Sequence, residues 1–223
     1  LDSVVIIDYG SGNLKSVFNS VSHVLSKSTK CRKVIVTNKI AEINKASHII
    51  LPGVGSFKSC LLGFKKIKNL YFCLSENVLS KKKPFLGICV GMQLLSDKGY
   101  EGGVSKGFGW ISGEVKLIDT KKVNNRVPHI GWNNLLNNSK HPFIELMKKN
   151  LSYFSENEVN AYFVHSYEFK LKNPKNELLY TNYGKRITAM VGVGNILGTQ
   201  FHPERSQLFG LNFIKNFLIW EGF

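Results

Sequence analysis

The segment Phe85-Leu86-Gly87-Ile88-Cys89-Val90-Gly91-Met92-Gln93-Leu94-Leu95 leaves this chain few ways to fold. A short apolar run, set off by Pro84, gives way to a helix-like one, and at the change a reactive side chain lies between glycines two residues before and two after it. Strand, tight turn and helix, with the reactive group at the apex, is the pattern of a nucleophile elbow carrying cysteine in place of serine. The glycines permit the turn. It would lift the Cys89 thiol clear of the sheet and aim it at the positive end of the helix, a setting that favours thiolate. Read alone, the same residues also fit a small buried cysteine beside packing glycines.

An elbow needs a sheet to stand on, and the first hundred residues supply one. Val4-Val5-Ile6-Ile7 is the continuous apolar run of a strand covered on both faces. The glycine turn Asp8-Tyr9-Gly10-Ser11-Gly12-Asn13 follows, and then Leu14, Val17, Phe18, Val21, Val24 and Leu25 recur at helical spacing. Further strands are expected over 33–37 and 48–51, with a short helix between them and two amphipathic helices over 58–68 and 71–79. This alternation predicts an α/β fold, a doubly wound and mostly parallel sheet with helices on both faces. Ligands in such sheets lie at the carboxyl ends of the strands. The turn at 8–13, Pro52-Gly53-Val54-Gly55-Ser56-Phe57 and Cys89 all fall on that edge.

The second half reads differently. Short extended pieces are expected over 113–118, 161–167, 178–182, 187–193 and 198–201, with a hairpin turn at Gly194-Asn195, as an antiparallel extension of the mixed sheet. A closing amphipathic helix carries Leu208, Leu211, Ile214, Phe217 and Leu218, and the polar stretch 137–158 reads as a surface insertion. With no repeat and no long linker, the 223 residues are expected to form a single domain over 1–223.

Composition narrows the function classes. No run approaches the ~20 apolar residues of a membrane helix, and the first residues lack the basic start of a signal peptide. Cys31, Cys60, Cys73 and Cys89 have no C-x-x-C spacing, which fits a reducing cytoplasm and no thiol-bound metal. The formal net charge of +15 raises the question of nucleic acid. However, the basic residues are scattered through Lys-Asn-rich patches with no basic stripe and no binding motif. An Asn/Lys composition bias, or docking on an acidic partner, accounts for the charge more simply.

A thiol nucleophile needs a base, and the base an orienting group. His23 lies on the first helix, His141 in a polar stretch and His48 at the start of a strand, which leaves His129, His165 and His202. Glu204 lies two residues beyond His202, across Pro203. In extended backbone those two side chains point the same way, so the carboxylate could set the imidazole's tautomer. Alone, His-Pro-Glu also fits a strand-end histidine near a surface glutamate.

Together with Cys89, the motif Gln200-Phe201-His202-Pro203-Glu204 resembles the class I, triad-type glutamine amidotransferases. Asp8 to Leu14, Leu51 to Phe57, Pro128-His129-Ile130-Gly131-Trp132-Asn133 and Tyr162-Phe163-Val164-His165-Ser166-Tyr167 are similar, in order and spacing, to the glutaminase subunits of imidazole glycerol phosphate synthases within that family. The resemblance spans nearly the whole chain. It implies a flavodoxin-like amidotransferase fold and no cofactor. Cys89 would be the nucleophile that forms a γ-glutamyl thioester, His202 the general base and acid, and Glu204 the orienting carboxylate.

The resemblance also places the oxyanion hole at the Val90 N–H and the Val54 peptide, the second of these on a strand that becomes competent only when a partner holds its substrate. Gly53, Gly55, Gln93, Ser166 and Tyr167 would bind glutamine, while His129 and His165 would be structural or interface residues. The partner would be a (β/α)8 cyclase of histidine biosynthesis forming a heterodimer through an ammonia channel, with Asn13, Trp132 and Arg205 at the contact. Arg205 departs from the family's more frequent lysine, and the two are not interchangeable at an interface. Val90 and Ser56 are minor departures. A paralogue supplying ammonia to a sugar-modifying amidotransferase, a catalytically silent sensor or scaffold, and a basic nucleic-acid binder are the competing readings.

Overall fold

A computed structural model describes residues 3–27, 33–119, 126–137, 139–152, 154 and 159–222. Cys31, the first two residues and part of the expected 137–158 insertion lie outside them. The continuous apolar runs become central strands, as burial on both faces requires. Strands β1 (Ser3–Ile7), β2 (Lys33–Thr37), β3 (Ala46–Gly53) and β4 (Phe85–Cys89) form one parallel set. Strand β3 runs past the expected end at Leu51 because Pro52 and Gly53 stay in register with Ile88 and Cys89. The helix α1 (Leu14–Ser26) and the short α2 (Ile40–Ile43) form as their spacing indicates. The two amphipathic stretches become α3 (Phe57–Lys65) and α4 (Leu70–Ser75), with a π-helical turn at Glu76–Ser80.

The helix after the elbow is a single turn, α5 (Val90–Gln93). Beyond it lie β5 (Lys98–Gly99), β6 (Ser105–Lys106), β7 (Gly113–Leu117), β8 (His129–Asn137), α6 (Pro142–Asn150), β9 (Val159–His165) and β10 (Tyr167–Leu171). The chain closes with β11 (Glu177–Asn182), β12 (Arg186–Val193), β13 (Ile196–Thr199) and α7 (Gln207–Ile219). The main sheet has the order β2-β1-β3-β4-β13-β12-β11-β8-β9, parallel as far as β13 and antiparallel beyond it, and β10-β7-β5-β6 make a second sheet. Helices α1, α6 and α7 pack on one another, as do α2, α3 and α4, so the sheet is covered on both faces.

Two expectations are corrected here. The stretch read as a surface insertion contains α6, whose Phe143, Ile144 and Met147 are fully buried, with Phe143 packed edge-on against Phe213 and Trp220. Its signals are Pro142 at the first helical position and the His141 ring, which accepts a hydrogen bond from the Phe143 N–H at 3.2 Å. The single strand expected over 161–167 is two strands in two sheets, and the break falls at Ser166.

Candidate active site

Cys89 occupies the joint between β4 and α5 with φ of 54° and ψ of −111°, a left-handed backbone that a non-glycine residue adopts only where its surroundings impose it. Those surroundings are the flanking glycines. A Cβ on Gly91 would stand 1.9 Å from the Leu51 carbonyl oxygen, and one on Gly87 would stand 2.5 Å from the Gly91 carbonyl oxygen. Gly53 is under the same pressure, its Cβ position lying 2.7 Å from the Gly91 nitrogen. The end of β3 is thus pressed against the elbow, and side chains there would pry them apart.

The thiol faces a cavity of about 640 Å3 at the carboxyl edge of the parallel strands. Of the expected site residues, Asn13, Val54, Gly55, Cys89, Val90, Gln93, Ser166, Tyr167, His202 and Arg205 line it. Gly53, Trp132 and Glu204 do not. Gly53 is buried against the elbow, and Trp132 lies 48% exposed on β8, edge-on to Tyr162. Gly12, Glu101, Pro128, Val164 and His165 also line the cavity; all but Glu101 lie in stretches singled out by the sequence, and nothing local pointed to Glu101. The Glu101 carboxylate accepts the Phe57 N–H at 2.7 Å, which anchors it at the start of α3.

His202 reaches the cavity from just beyond β13. Its N–H donates to the Tyr162 carbonyl at 2.9 Å, and Ser206 Oγ both donates to the His202 carbonyl at 2.7 Å and accepts the Tyr162 N–H at 3.0 Å. Ser206, which the sequence reading missed, therefore ties the His202 turn to β9. The backbone from His202 to Glu204 is not extended throughout, because Pro203–Arg205 form a 3-10 turn. The pairing still forms, with His202 Nδ1 at 2.8 Å from Glu204 Oε1 and both side chains out of water. Burial pulls the His202 pKa down, but Cys89 and Glu204 outweigh it and push the imidazole up to about 10. Its Nε2 is buried without a hydrogen-bond partner.

Gln93 is buried rather than facing solvent. Its Nε2 donates to Gln200 Oε1 at 3.0 Å and to the Tyr167 carbonyl at 3.3 Å, while Gln200 Nε2 lies 3.6 Å from Cys89 Sγ. Val54, also on the cavity wall, is half exposed. Its N–H donates to Ser11 Oγ at 3.4 Å, and its carbonyl accepts from Ser11 Oγ at 2.6 Å and from Cys60 Sγ at 3.6 Å. The Val54 N–H is thus engaged by Ser11 in this conformation. The Val90 N–H opens α5 and needs no partner within it.

The remaining histidines separate by burial. His23 is exposed on α1, as expected. His48 is interior to β3 and its Nε2 lies 3.0 Å from the Trp220 carbonyl, so it does not merely begin a strand. His129 and His165 form a buried pair. Among the described residues no group of three or more histidine, cysteine, aspartate or glutamate side chains could hold a metal ion, and no helix is long and apolar enough to cross a membrane.

A buried cysteine on an elbow and an imidazole bonded to a carboxylate, both on the wall of one cavity, can perform acyl transfer through a thioester. Residues 5–220 match the family described as glutamine amidotransferase class-I. The imidazole glycerol phosphate synthase subunit HisH of Brucella melitensis biotype 1 is 41% identical over 218 residues, covering 98% of this chain and 99% of the relative. Its namesake in Zymomonas mobilis subsp. mobilis is 42% identical over 220 residues, covering 98% and 96%. A crystal structure of a glutamine amidotransferase has the same fold, with a TM-score of 0.67 at 15% identity, covering 96% of this chain and 99% of that one.

Proposed function

The chain belongs to the class I glutamine amidotransferase family, and from that premise we propose that it is the glutaminase subunit of an imidazole glycerol phosphate synthase. It would hydrolyse L-glutamine to glutamate and ammonia and pass the ammonia to a (β/α)8 cyclase subunit of histidine biosynthesis in the cytoplasm. The observation that carries this reading is the full-length similarity to relatives bearing that name, and the His202–Glu204 hydrogen bond beside a cavity lined by both Cys89 and His202 supports it. That geometry also weighs against a silent scaffold.

The mechanism follows from the groups in place. Cys89 gives its proton to His202 and attacks the side-chain amide carbon of glutamine. The resulting imidazolium is stabilised by Glu204, which holds Nδ1 and leaves Nε2 for the reacting atoms. The tetrahedral oxyanion takes the Val90 N–H. His202 then returns the proton to the departing nitrogen, ammonia leaves, and a γ-glutamyl thioester remains on Cys89. Water, deprotonated by the same imidazole, attacks the thioester and releases glutamate.

The second oxyanion donor is the Val54 N–H, which must first leave Ser11. The chain alone is therefore a slow glutaminase, and a partner that turns this peptide makes it a fast one. Gln93, Ser166, Tyr167 and Gly55 form the wall that receives the substrate's polar groups. Asn13 and Arg205, which line the cavity, and the exposed Trp132, which like Arg205 meets the Tyr162 ring, form the docking surface. Uncharged ammonia then passes directly into the partner instead of becoming ammonium in bulk water.

Acid quenching during turnover, digestion and mass spectrometry test the reading. A glutamyl adduct on the peptide bearing Cys89 supports it, and an adduct on Cys60 or Cys73, or none under any partner condition, contradicts it.

A further inference from the structure

The buried pair His129 and His165 has no part in the mechanism above, yet its hydrogen bonds lead into the cavity. The Tyr167 carbonyl can only accept, so His165 Nδ1, 2.9 Å away, carries the proton. Burial holds both rings neutral, with His129 pushed down to about 4 and His165 to about 3. A neutral His165 with its proton on Nδ1 presents Nε2 as a bare acceptor. His129 Nδ1, 2.9 Å from that atom, must then be the donor. His129 Nε2 in turn accepts from Asn133 Nδ2 at 3.2 Å. The Asn133 amide is fixed in that sense, because Nδ2 also donates to the Asn182 carbonyl at 3.0 Å and Oδ1 accepts the Asn134 N–H at 2.8 Å. One carbonyl thus sets both tautomers along the row. Phe163 and Tyr183 stack on His129, with ring centroids 4.7 and 4.0 Å away.

The far end of the row meets the site. The Tyr167 carbonyl also accepts from Gln93 Nε2, which is bonded to Gln200, whose amide reaches toward Cys89 Sγ. That carbonyl sits where the chain leaves the main sheet at Ser166 and enters the second sheet, so no ladder of a single sheet holds this wall.

We propose that His129 and His165 are positioning residues for the glutamine substrate: their directional hydrogen bonds fix the Tyr167 carbonyl, and through it the Ser166–Tyr167 wall and the Gln93 amide. The proposal rests on the glutaminase reading and adds two residues that act through Tyr167, His165 from the cavity wall and His129 from behind it. Loss of the row loosens the seat of the substrate and leaves the thiol in place, so the effect falls on KM and not on kcat.

The test uses the full chain and the protection of Cys89 by L-glutamine against iodoacetamide, followed on the Cys89 peptide. His165→Phe, which keeps a ring but no donor, and Asn133→Asp, which replaces the donor to His129 with an acceptor on the half-buried side of the row, move the glutamine concentration for half-protection upward more than threefold. His165→Asn, which retains a donor at the Nδ1 position, stays closer to wild type than His165→Phe. Nitrogen-15 NMR finds both rings as Nδ1–H tautomers. Should His165→Phe fail to fold, Asn133→Asp and the tautomer measurement decide. Half-protection within threefold of wild type in Asn133→Asp, or an Nε2–H tautomer on either ring, overturns the proposal. Wild-type Cys89 that glutamine does not protect at all overturns the glutaminase reading itself, a separate result.

Discussion

His202 Nδ1 lies 2.8 Å from Glu204 Oε1 although the two residues are separated by one proline and the second belongs to a 3-10 turn. The carboxylate is the acceptor that holds the imidazole's proton on Nδ1, and together with Cys89 it raises the ring's pKa to about 10 against the pull of burial. Replacing it removes the acceptor and its share of the raised pKa, leaving that of Cys89. Glu204→Gln is expected to lower kcat by roughly 100-fold or more, the scale of general acid–base catalysis. The pH profile carries the finer signature. The imidazolium is needed to protonate the leaving nitrogen, so wild-type kcat/KM falls as pH rises through about 10, and in Glu204→Gln the fall comes at lower pH.

Ser11 holds the Val54 peptide by both its N–H and its carbonyl. Ser11→Ala removes those bonds, and a hydrogen bond's net worth of about 1 kcal/mol corresponds to roughly fivefold in an equilibrium. Glutaminase turnover without partner should rise by about that factor, while turnover under full stimulation changes little. Initial rates of glutamate formation, with and without a cyclase subunit, measure both. An unchanged unstimulated rate would mean that Ser11 does not restrain the strand.

The neutral pair His129 and His165 makes the fold sensitive to mild acid. Their folded pKa values, about 4 and about 3, lie below the ordinary value of 6.5. As pH falls below 6.5 the unfolded chain takes up protons that the folded chain refuses. Stability is complete above that value and is lost progressively down to the folded values, with His141, also lowered by burial, acting in the same direction. Tm should therefore decline already between about pH 6.5 and 5, above the usual carboxylate range. Calorimetry across that interval checks it, and a flat Tm would contradict the assignment of both rings as buried and neutral.

Gly91→Ala tests the elbow. Its Cβ would meet the Leu51 carbonyl oxygen at 1.9 Å, a backbone atom that cannot swing aside. The cost should exceed about 3 kcal/mol, the scale of the more severe single substitutions, and appear as a lowered urea midpoint or as failure to fold. A variant with wild-type stability would show that β3 and the elbow can separate freely.

The elbow, the parallel strands and the closing helix were legible because each rests on a local pattern: continuous apolar runs, glycines at fixed offsets, and apolar residues at helical spacing. The alternation that would mark β8 is obscured by Gly131, at φ of 129°, and by exposed Ile130 and Trp132. Helix α6 was hidden by its Lys- and Asn-rich surroundings, although Phe143, Ile144 and Met147 share one face. The change of sheet at Ser166 depends on distant partners, β8 for one side and β7 for the other, so no local rule could reveal it. His202 and Glu204 were paired on the argument from extended backbone, and the turn joins them by another route. The roles of Ser206, Gln200 and Ser11 are fixed by partners brought in from elsewhere in the chain.

Ammonia release from L-glutamine, measured for the chain with a (β/α)8 cyclase subunit and its phosphoribosyl ligand, tests the central claim most directly. Release should rise on adding the liganded partner and vanish in Cys89→Ala. Release that persists undiminished in Cys89→Ala would contradict that claim.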